Sequence, residues 1–406
     1  MDKTPTSASV SNEPEFATFL PFLMVICFLT FLSILSRMVF APLTPLICKE
    51  MGLCHGETGH LFLVLSIGFA VTLFLSQYIN CWISHKKTIA ISLYSNAFLF
   101  LSTPWIGGYA SLCSFLFFVG LASGLFIPSS IAIIRKVIFD NHLGKAFGMR
   151  QAMQSCAFIF GPAMVSIFSP YLSWRFILLS LGVFFLIFSV LFSIFFKEGQ
   201  DKSPPVSMEF FRGVLTMPSF WIMLLLLCLI SGMNYGVYNM APNYYDSQYD
   251  VDRSTVNTLI MVARIFSFFT AILSGFLADK IGMRKALFSL LLICGLTTFF
   301  LGISSVGVSL FLFILQSSLA TALMSLIHLA IANIVPAHRS ASIISMMAPF
   351  AFIFGSGIVP KVIGIFADKG MYSQAFALFG IIAIAAALFF NWSRVHRHIY
   401  QKQVDS

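Results

Sequence analysis

Gly275-Phe276-Leu277-Ala278-Asp279-Lys280-Ile281-Gly282-Met283-Arg284-Lys285 is a short, charged, glycine-hinged turn between two long apolar runs. Upstream, residues 256–278 carry a single charge, Arg264; downstream, residues 286–313 carry none. Each run is long enough to cross a bilayer as a helix, since roughly 20 helical residues span about 30 Å. The turn has a physical reading. Gly275 lets helices pack closely, Gly282 allows φ > 0, and Asp279 suits the N-terminus of a neighbouring helix. Arg284 and Lys285 hold the turn on the cytoplasmic side. An ordinary basic loop, kept inside by its charge alone, is the plain alternative.

The rest of the chain agrees with a membrane setting. Of 406 residues, 58% are hydrophobic and 10% charged, and the mean hydropathy is +0.92. A soluble domain has about 25% charged residues, so a soluble globular protein is excluded. The 47 phenylalanines suit surfaces that face lipid. A net charge of +9 points to nucleic acid in a soluble protein; here it is read by side of the membrane, and no nucleic-acid partner is expected. The eight cysteines show no C-x-x-C, which argues against a zinc site or disulfide framework. Cys48 and Cys54 share one short loop, where a bridge or idle thiols are the alternatives.

Hydropathy places twelve spans near 18–41, 59–83, 88–106, 111–134, 145–168, 175–196, 218–242, 255–278, 286–303, 307–335, 341–367 and 374–393. The expected organisation is a disordered tail over 1–16, six helices over 17–196 and a linker over 197–217 holding Ser203-Pro204-Pro205. Six more helices follow over 218–394, then a basic tail over 395–406. With both termini inside, seventeen Lys and Arg lie on cytoplasmic segments. Four lie outside (Lys49, Arg175, Arg253, Lys369), and Arg37, Arg264 and Lys361 lie within spans. That asymmetry supports an even number of spans and cytoplasmic termini, in the inner membrane if the cell is bacterial.

The halves repeat. Ala157-Phe-Ile-Phe-Gly161 recurs as Ala351-Phe-Ile-Phe-Gly355, Ser84-His-Lys-Lys87 matches Gly282-Met-Arg-Lys285, and Ile131-Ala-Ile133 matches Leu329-Ala-Ile331. The offsets are 194, 198 and 198. Transporter halves are often repeats of one another.

With these residues the chain resembles the major facilitator superfamily (MFS) over nearly its whole length. The turn at Gly275–Lys285 carries the resemblance, with Gly120-Leu-Ala-Ser-Gly124-Leu-Phe-Ile-Pro128, Gly144-Lys-Ala-Phe-Gly148, Gly161-Pro162 and Trp174-Arg175-Phe176. It implies an all-α polytopic membrane protein of two six-helix bundles related by a pseudo-twofold axis. It also implies a gating role for Gly275, Asp279, Gly282, Arg284 and Lys285, and structural roles for Gly124, Pro128, Gly161 and Pro162. The first-half copy of the turn, near Asn80 to Lys87, lacks the acidic residue and second glycine, and Phe117 and Phe118 stand where many members carry an arginine. Arg37-Met-Val-Phe-Ala-Pro-Leu-Thr-Pro45, then Gly52-Leu53, is similar to the first span of the organophosphate and anion-cation families, where an arginine contacts an anionic substrate. Their second arginine, in the seventh span, is replaced by uncharged Asn234-Tyr235-Gly236-Val-Tyr238-Asn239.

All fifteen Asp and Glu fall in tails, loops or helix ends, so the mid-span charges are basic. A charge at the bilayer centre costs about 2.5–3.5 kcal/mol or more, so such residues mark function by default. Arg264 is too deep to reach either surface. Arg37, read from hydropathy alone, either lines the cavity or snorkels to the outer interface. His328 is a proton carrier or a histidine bonded between helices; Gln154 and Gln316 are substrate contacts or helix–helix glue. Tyr235, Tyr238 and Asn234 complete the candidate substrate site. Lys361 is expected to snorkel outward and Arg150 inward. No enzyme constellation, metal site or cofactor is expected. The expected function is alternating-access transport of a small polar solute, favoured to be an organic anion or carboxylate-bearing metabolite, by a monomer with or without a coupling ion or counter-substrate. Export of an amphipathic compound and a transporter-like solute sensor are the alternatives.

Overall fold

The computed structural model describes residues 16–196, 208–332 and 340–392. Of the expected tails over 1–16 and 395–406, residues 1–15 and 395–406 lie outside them, as do residues 197–207 of the linker; Phe16, expected in the tail, already opens the first helix. Six helices form the first bundle: α1 (Phe16–Met38, continuing as Phe40–Met51), α2 (His55–Trp82), α3 (His85–Leu101), α4 (Tyr109–Val137), α5 (Asp140–Phe168) and α6 (Trp174–Phe195). After a short helix, Met208–Leu215, six more form the second. These are α7 (Pro218–Ser231, a π segment Gly232–Gly236, then Val237–Tyr249), α8 (Arg253–Ile281), α9 (Met283–Ile303) and α10 (Val306–Ala332). The last two are α11 (Ser340–Phe352, a π segment Ile353–Ile358, then Val359–Ala367) and α12 (Tyr372–Trp392). Eleven helices among the described residues are long and apolar enough to span a membrane. The twelfth, α3, has 17 residues, at the short end of the spanning range.

Packing repeats between the halves. In the first bundle α2 packs on α4 and α3 on α6; in the second α8 packs on α10 and α9 on α12. Gly124 belongs to the α2–α4 contact, where an added Cβ would lie 2.6 Å from the Phe69 carbonyl oxygen. Around Gly161 an added Cβ would meet only ordinary contacts, the nearest at 3.6 Å from Leu35. Two helices outrun their hydropathy: α1 ends at Met51 and α7 at Tyr249. Their extra turns hold Pro42, Thr44, Pro45 and Asn243, which lie beyond the hydropathy spans but are buried where α1 meets α7. Protein contact, not lipid, accepts those polar groups, and Arg37 consequently sits well inside α1.

The end bearing Gly52 and Asp368 is the one that charge assigns to the outside, and it is called the outer end. There the bundles are closed on one another. The Asp368 carboxylate accepts from the backbone N–H of His55 (2.8 Å) and Gly56 (2.9 Å), capping the free donors that open α2. Lys361 donates to the Gly56 carbonyl at 3.0 Å, so it ties α11 to α2 and does not simply snorkel outward. A Cβ on Gly59 would lie 2.4 Å from the Pro360 carbonyl oxygen, so the helices touch backbone to backbone. Within the first bundle, Glu50 takes Trp174 Nε1–H at 2.7 Å and pairs with Arg175.

The inner turn differs. Gly282 adopts φ +86° and ends α8, as its sequence requires. Arg284 donates to the Asn391 carbonyl. A Cβ on Gly275 would meet nothing within 4 Å, and Asp279 is exposed with no partner among the described residues. The expected close packing at Gly275 is therefore not made among the described residues in this conformation. Arg150 corrects a second expectation: it is buried rather than snorkelling inward.

Gly59→Val should block the outer closure and leave each bundle intact, because the clash is entirely across the interface. Spin labels at the outer ends of α2 and α11 should then lie farther apart than in the parent protein, and an unchanged distance would contradict the closure described.

Candidate functional site

Gly232-Met-Asn-Tyr-Gly236 sets the site. It forms a π segment midway along α7, directly against the π segment of α11. The approach needs Gly355, where a Cβ would lie 2.5 Å from the backbone carbon of Ser231. A π segment displaces carbonyls from their usual i+4 donors, and buried carbonyls need others. Gln316 Nε2–H donates to the Met233 carbonyl at 3.0 Å. Arg264 Nη2–H donates to the Asn234 carbonyl at 3.0 Å, and its Nη1–H to Asn234 Oδ1 at 2.9 Å. Asn239 Nδ2–H reaches the Ser356 carbonyl at 3.2 Å and its hydroxyl at 3.1 Å.

Two buried arginines flank this crossing, 6% and 4% exposed at Arg37 and Arg264. The Arg37 guanidinium lies 3.9 Å from the Phe69 ring centre and 5.5 Å from that of Phe352. Arg264 lies 4.6 Å from Phe158 and 4.5 Å from Tyr238. Phe158 and Phe352 are equivalent residues of the repeated Ala-Phe-Ile-Phe-Gly. Each arginine therefore has one ring from its own bundle and one repeat phenylalanine from the other. Tyr235 stacks between the two repeat phenylalanines, at 6.1 Å from Phe158 and 5.3 Å from Phe352. The Tyr238 hydroxyl donates across the interface to the Met38 carbonyl at 3.3 Å.

The arginines differ in what else they hold. Arg264 is bonded to the π segment and, at 3.4 Å, to Thr321, leaving Nε as its buried group without a partner. Arg37 makes no hydrogen bond among the described residues, and its Nε is buried and unmatched. It borders a small gap, of about water size, with Ser66, Asn239 and Ser356. Structural need thus accounts for most of Arg264 and for little of Arg37.

The remaining candidates separate. Asn234, Tyr235, Tyr238 and Gln316 converge at the crossing, Gln316 as a cap for α7. Gln154 is half-buried one turn before Phe158 on α5. His328 Nδ1 bonds the Met324 carbonyl of its own helix at 2.7 Å, and among the described residues no bond to another helix is seen. Cys48 and Cys54 are free thiols, Cys48 lying 2.8 Å from the Thr58 hydroxyl. Sequence reasoning missed Phe69, Phe158, Phe352, Ser66 and Ser356; only the recurrence of Phe158 as Phe352 offered a signal. Among the described residues no cluster of His, Cys, Asp or Glu fits a metal ion.

The sequence model of the Major Facilitator Superfamily matches residues 26–360 and 230–405. The chain belongs to the major facilitator superfamily. This is a family of secondary transporters and not of enzymes. YwfA, an uncharacterized MFS-type transporter of Bacillus subtilis (strain 168), is 24% identical over 86% of this chain and 87% of its own. YceJ of the same strain is 20% identical over 63% of this chain and 66% of its own, just under two thirds. The probable sulfoacetate transporter SauU of Cupriavidus necator is 22% identical over 46% of this chain and 43% of its own. Among solved structures, a bacterial homolog of the human lysosomal transporter Spinster, inward-facing and unoccupied, superposes with TM-score 0.81 at 13% identity, covering 95% of this chain and 98% of that one. The D-xylose–proton symporter gives TM-score 0.73 at 13% identity, covering 93% and 98%. These likenesses establish the MFS fold with its two bundles.

In this MFS chain Arg264→Lys should destabilise nearly as much as Arg264→Ala. A single ammonium cannot serve both the carbonyl and the amide oxygen of Asn234, and a buried acceptor left unmatched costs about 1–3 kcal/mol. Thermal unfolding in detergent reads this directly; a lysine variant as stable as the parent would remove the capping role.

Proposed function

We propose that this MFS protein carries a small organic anion, most simply a carboxylate-bearing metabolite, by alternating access about the α7–α11 crossing. The observation that carries the reading is Arg37: a guanidinium buried at the bundle interface, faced by two rings and hydrogen-bonded to nothing among the described residues. A buried lone charge is costly, and a negatively charged solute group relieves that cost where no protein carboxylate does. Every Asp and Glu lies outside the span centres, so the missing partner is external. Arg264 adds a second positive charge to the same layer while it fixes the π segment.

Around that cation, Asn234, Tyr235, Tyr238 and Gln316 shape the site, and Gln154 on α5 and His328 on α10 are proposed as further contacts along the substrate path. SauU, by its name, is a probable transporter of sulfoacetate, an anion, and its partial likeness fits this reading. The nucleoside and xylose transporters among the structural neighbours act on other chemistry, so the fold alone selects no substrate. Closed outer contacts and an unpacked Gly275 fit an inward-facing state, with Asp279, Gly282, Arg284 and Lys285 as the inner gate. Charge sidedness favours cytoplasmic termini in a cell membrane, and each monomer holds a complete site.

The test is binding of matched ligands, a carboxylate metabolite and its neutral amide, to purified protein in nanodiscs. Arg37→Ala should weaken the carboxylate about 10- to 100-fold, the worth of a charge-assisted hydrogen bond, and the amide far less. Equal losses for both ligands would make Arg37 structural and end the anion reading.

A further inference from the structure

The gap beside Arg37 has more chemistry than one charge. Ser66 of α2 and Ser356 of α11 both line it, one from each bundle. Both are buried, at 3% and 7% exposure. The Ser66 hydroxyl has no hydrogen-bond partner among the described residues. Ser356 Oγ accepts from Asn239 at 3.1 Å, and its own O–H has no acceptor among them. Leaving buried hydroxyls unmatched is unfavourable, so two idle O–H groups beside an idle guanidinium call for one shared acceptor. The gap is kept small by design. Met38, Phe62, Leu65, Phe69 and Phe352 wall the remainder. About one water-sized atom fits.

We infer that this gap is a one-oxygen subsite that grips the head of the anion, with Ser66 and Ser356 as its specificity-determining hydroxyls. It takes one carboxylate oxygen between the Arg37 guanidinium and the two O–H donors. A flat carboxylate offers one oxygen to the gap and keeps the other outside. A tetrahedral sulfonate presents a broader head, which the three phenylalanine rings obstruct. The subsite therefore prefers carboxylates to sulfonates of the same skeleton, and it rests on the reading of Arg37 as the anion-binding cation.

Formate, formamide and methanesulfonate are probes small enough to test the head alone. Thermal unfolding of the full chain in detergent, at fixed ionic strength, is measured with each. At about ten times its dissociation constant, formate should raise the unfolding temperature of the parent protein by roughly 2 °C, with methanesulfonate giving less and formamide nothing. Ser66→Ala with Ser356→Ala should reduce the formate shift and erase the preference over methanesulfonate. Arg37→Gln should abolish the response to both anions. If the double serine variant keeps the full preference, the hydroxyl subsite falls while the anion reading stands. If Arg37→Gln keeps the formate response, both fall. A parent protein that does not respond to formate overturns the subsite, and the anion reading is then decided by the carboxylate–amide pair. Ligand-free unfolding temperatures of the double serine variant and of Arg37→Gln, compared with the parent's, separate a lost fold from a lost site: both should stay close to the parent's while the formate shift changes.

Discussion

Two guanidiniums held between aromatic rings in an apolar interior are the constraint around which this transporter is built. An arginine there is tolerated only with compensation, and within the protein aromatic faces supply much of it. Arg37 leans on Phe69 and Phe352, Arg264 on Phe158 and Tyr238. In both pairs one ring belongs to the opposite bundle. Closing the bundles and sheltering the charges are consequently one event. Tyr235, stacked between the repeat phenylalanines, couples the two sites so that neither can be rearranged alone.

The outer closure extends that logic to the membrane surface. Asp368 neutralises the open N-terminus of α2 from the other bundle, and Lys361 occupies a carbonyl of the same turn. Each contact is a directional bond across the interface, made when the bundles meet and lost when they part. Among the described residues the inner end, with nothing within 4 Å of an added Gly275 Cβ and Asp279 exposed, shows no comparable latch in this conformation. Alternating access requires that asymmetry, since strong closure at both ends would arrest the cycle.

Much of this was legible in the sequence. Spans are set by hydropathy, and charge sidedness supports their even number, so the architecture and the depth of Arg264 could be read directly, whereas hydropathy left Arg37 open between the cavity and the outer interface. The ends of α1 and α7 could not. Pro42, Thr44 and Asn243 are polar enough to look like loop, and only the partner helix explains their burial. The stretch from Asn234 to Asn239 was legible as polar and uncharged, but neither the π segment at Gly232–Gly236 nor its capping by Arg264 and Gln316 was. Contacts such as Asp368 with His55 join residues 313 positions apart and leave no periodic trace. The repeated Ala-Phe-Ile-Phe-Gly was noticed as internal symmetry; that its first phenylalanine shelters the other bundle's arginine required coordinates.

The sharing of each guanidinium between bundles is most directly tested by a double-mutant cycle on closure. Outer-end distances between spin labels on α2 and α11 are measured by pulsed electron paramagnetic resonance in nanodiscs for the parent, Arg37→Gln, Phe352→Leu and the double variant. A cation–π contact of about 0.5–2 kcal/mol predicts that each single change shifts the population toward an open outer end by a comparable amount, and that the second adds little to the first. Fully additive shifts, or no shift in either single variant, would contradict the claim that the ring of one bundle holds the charge of the other.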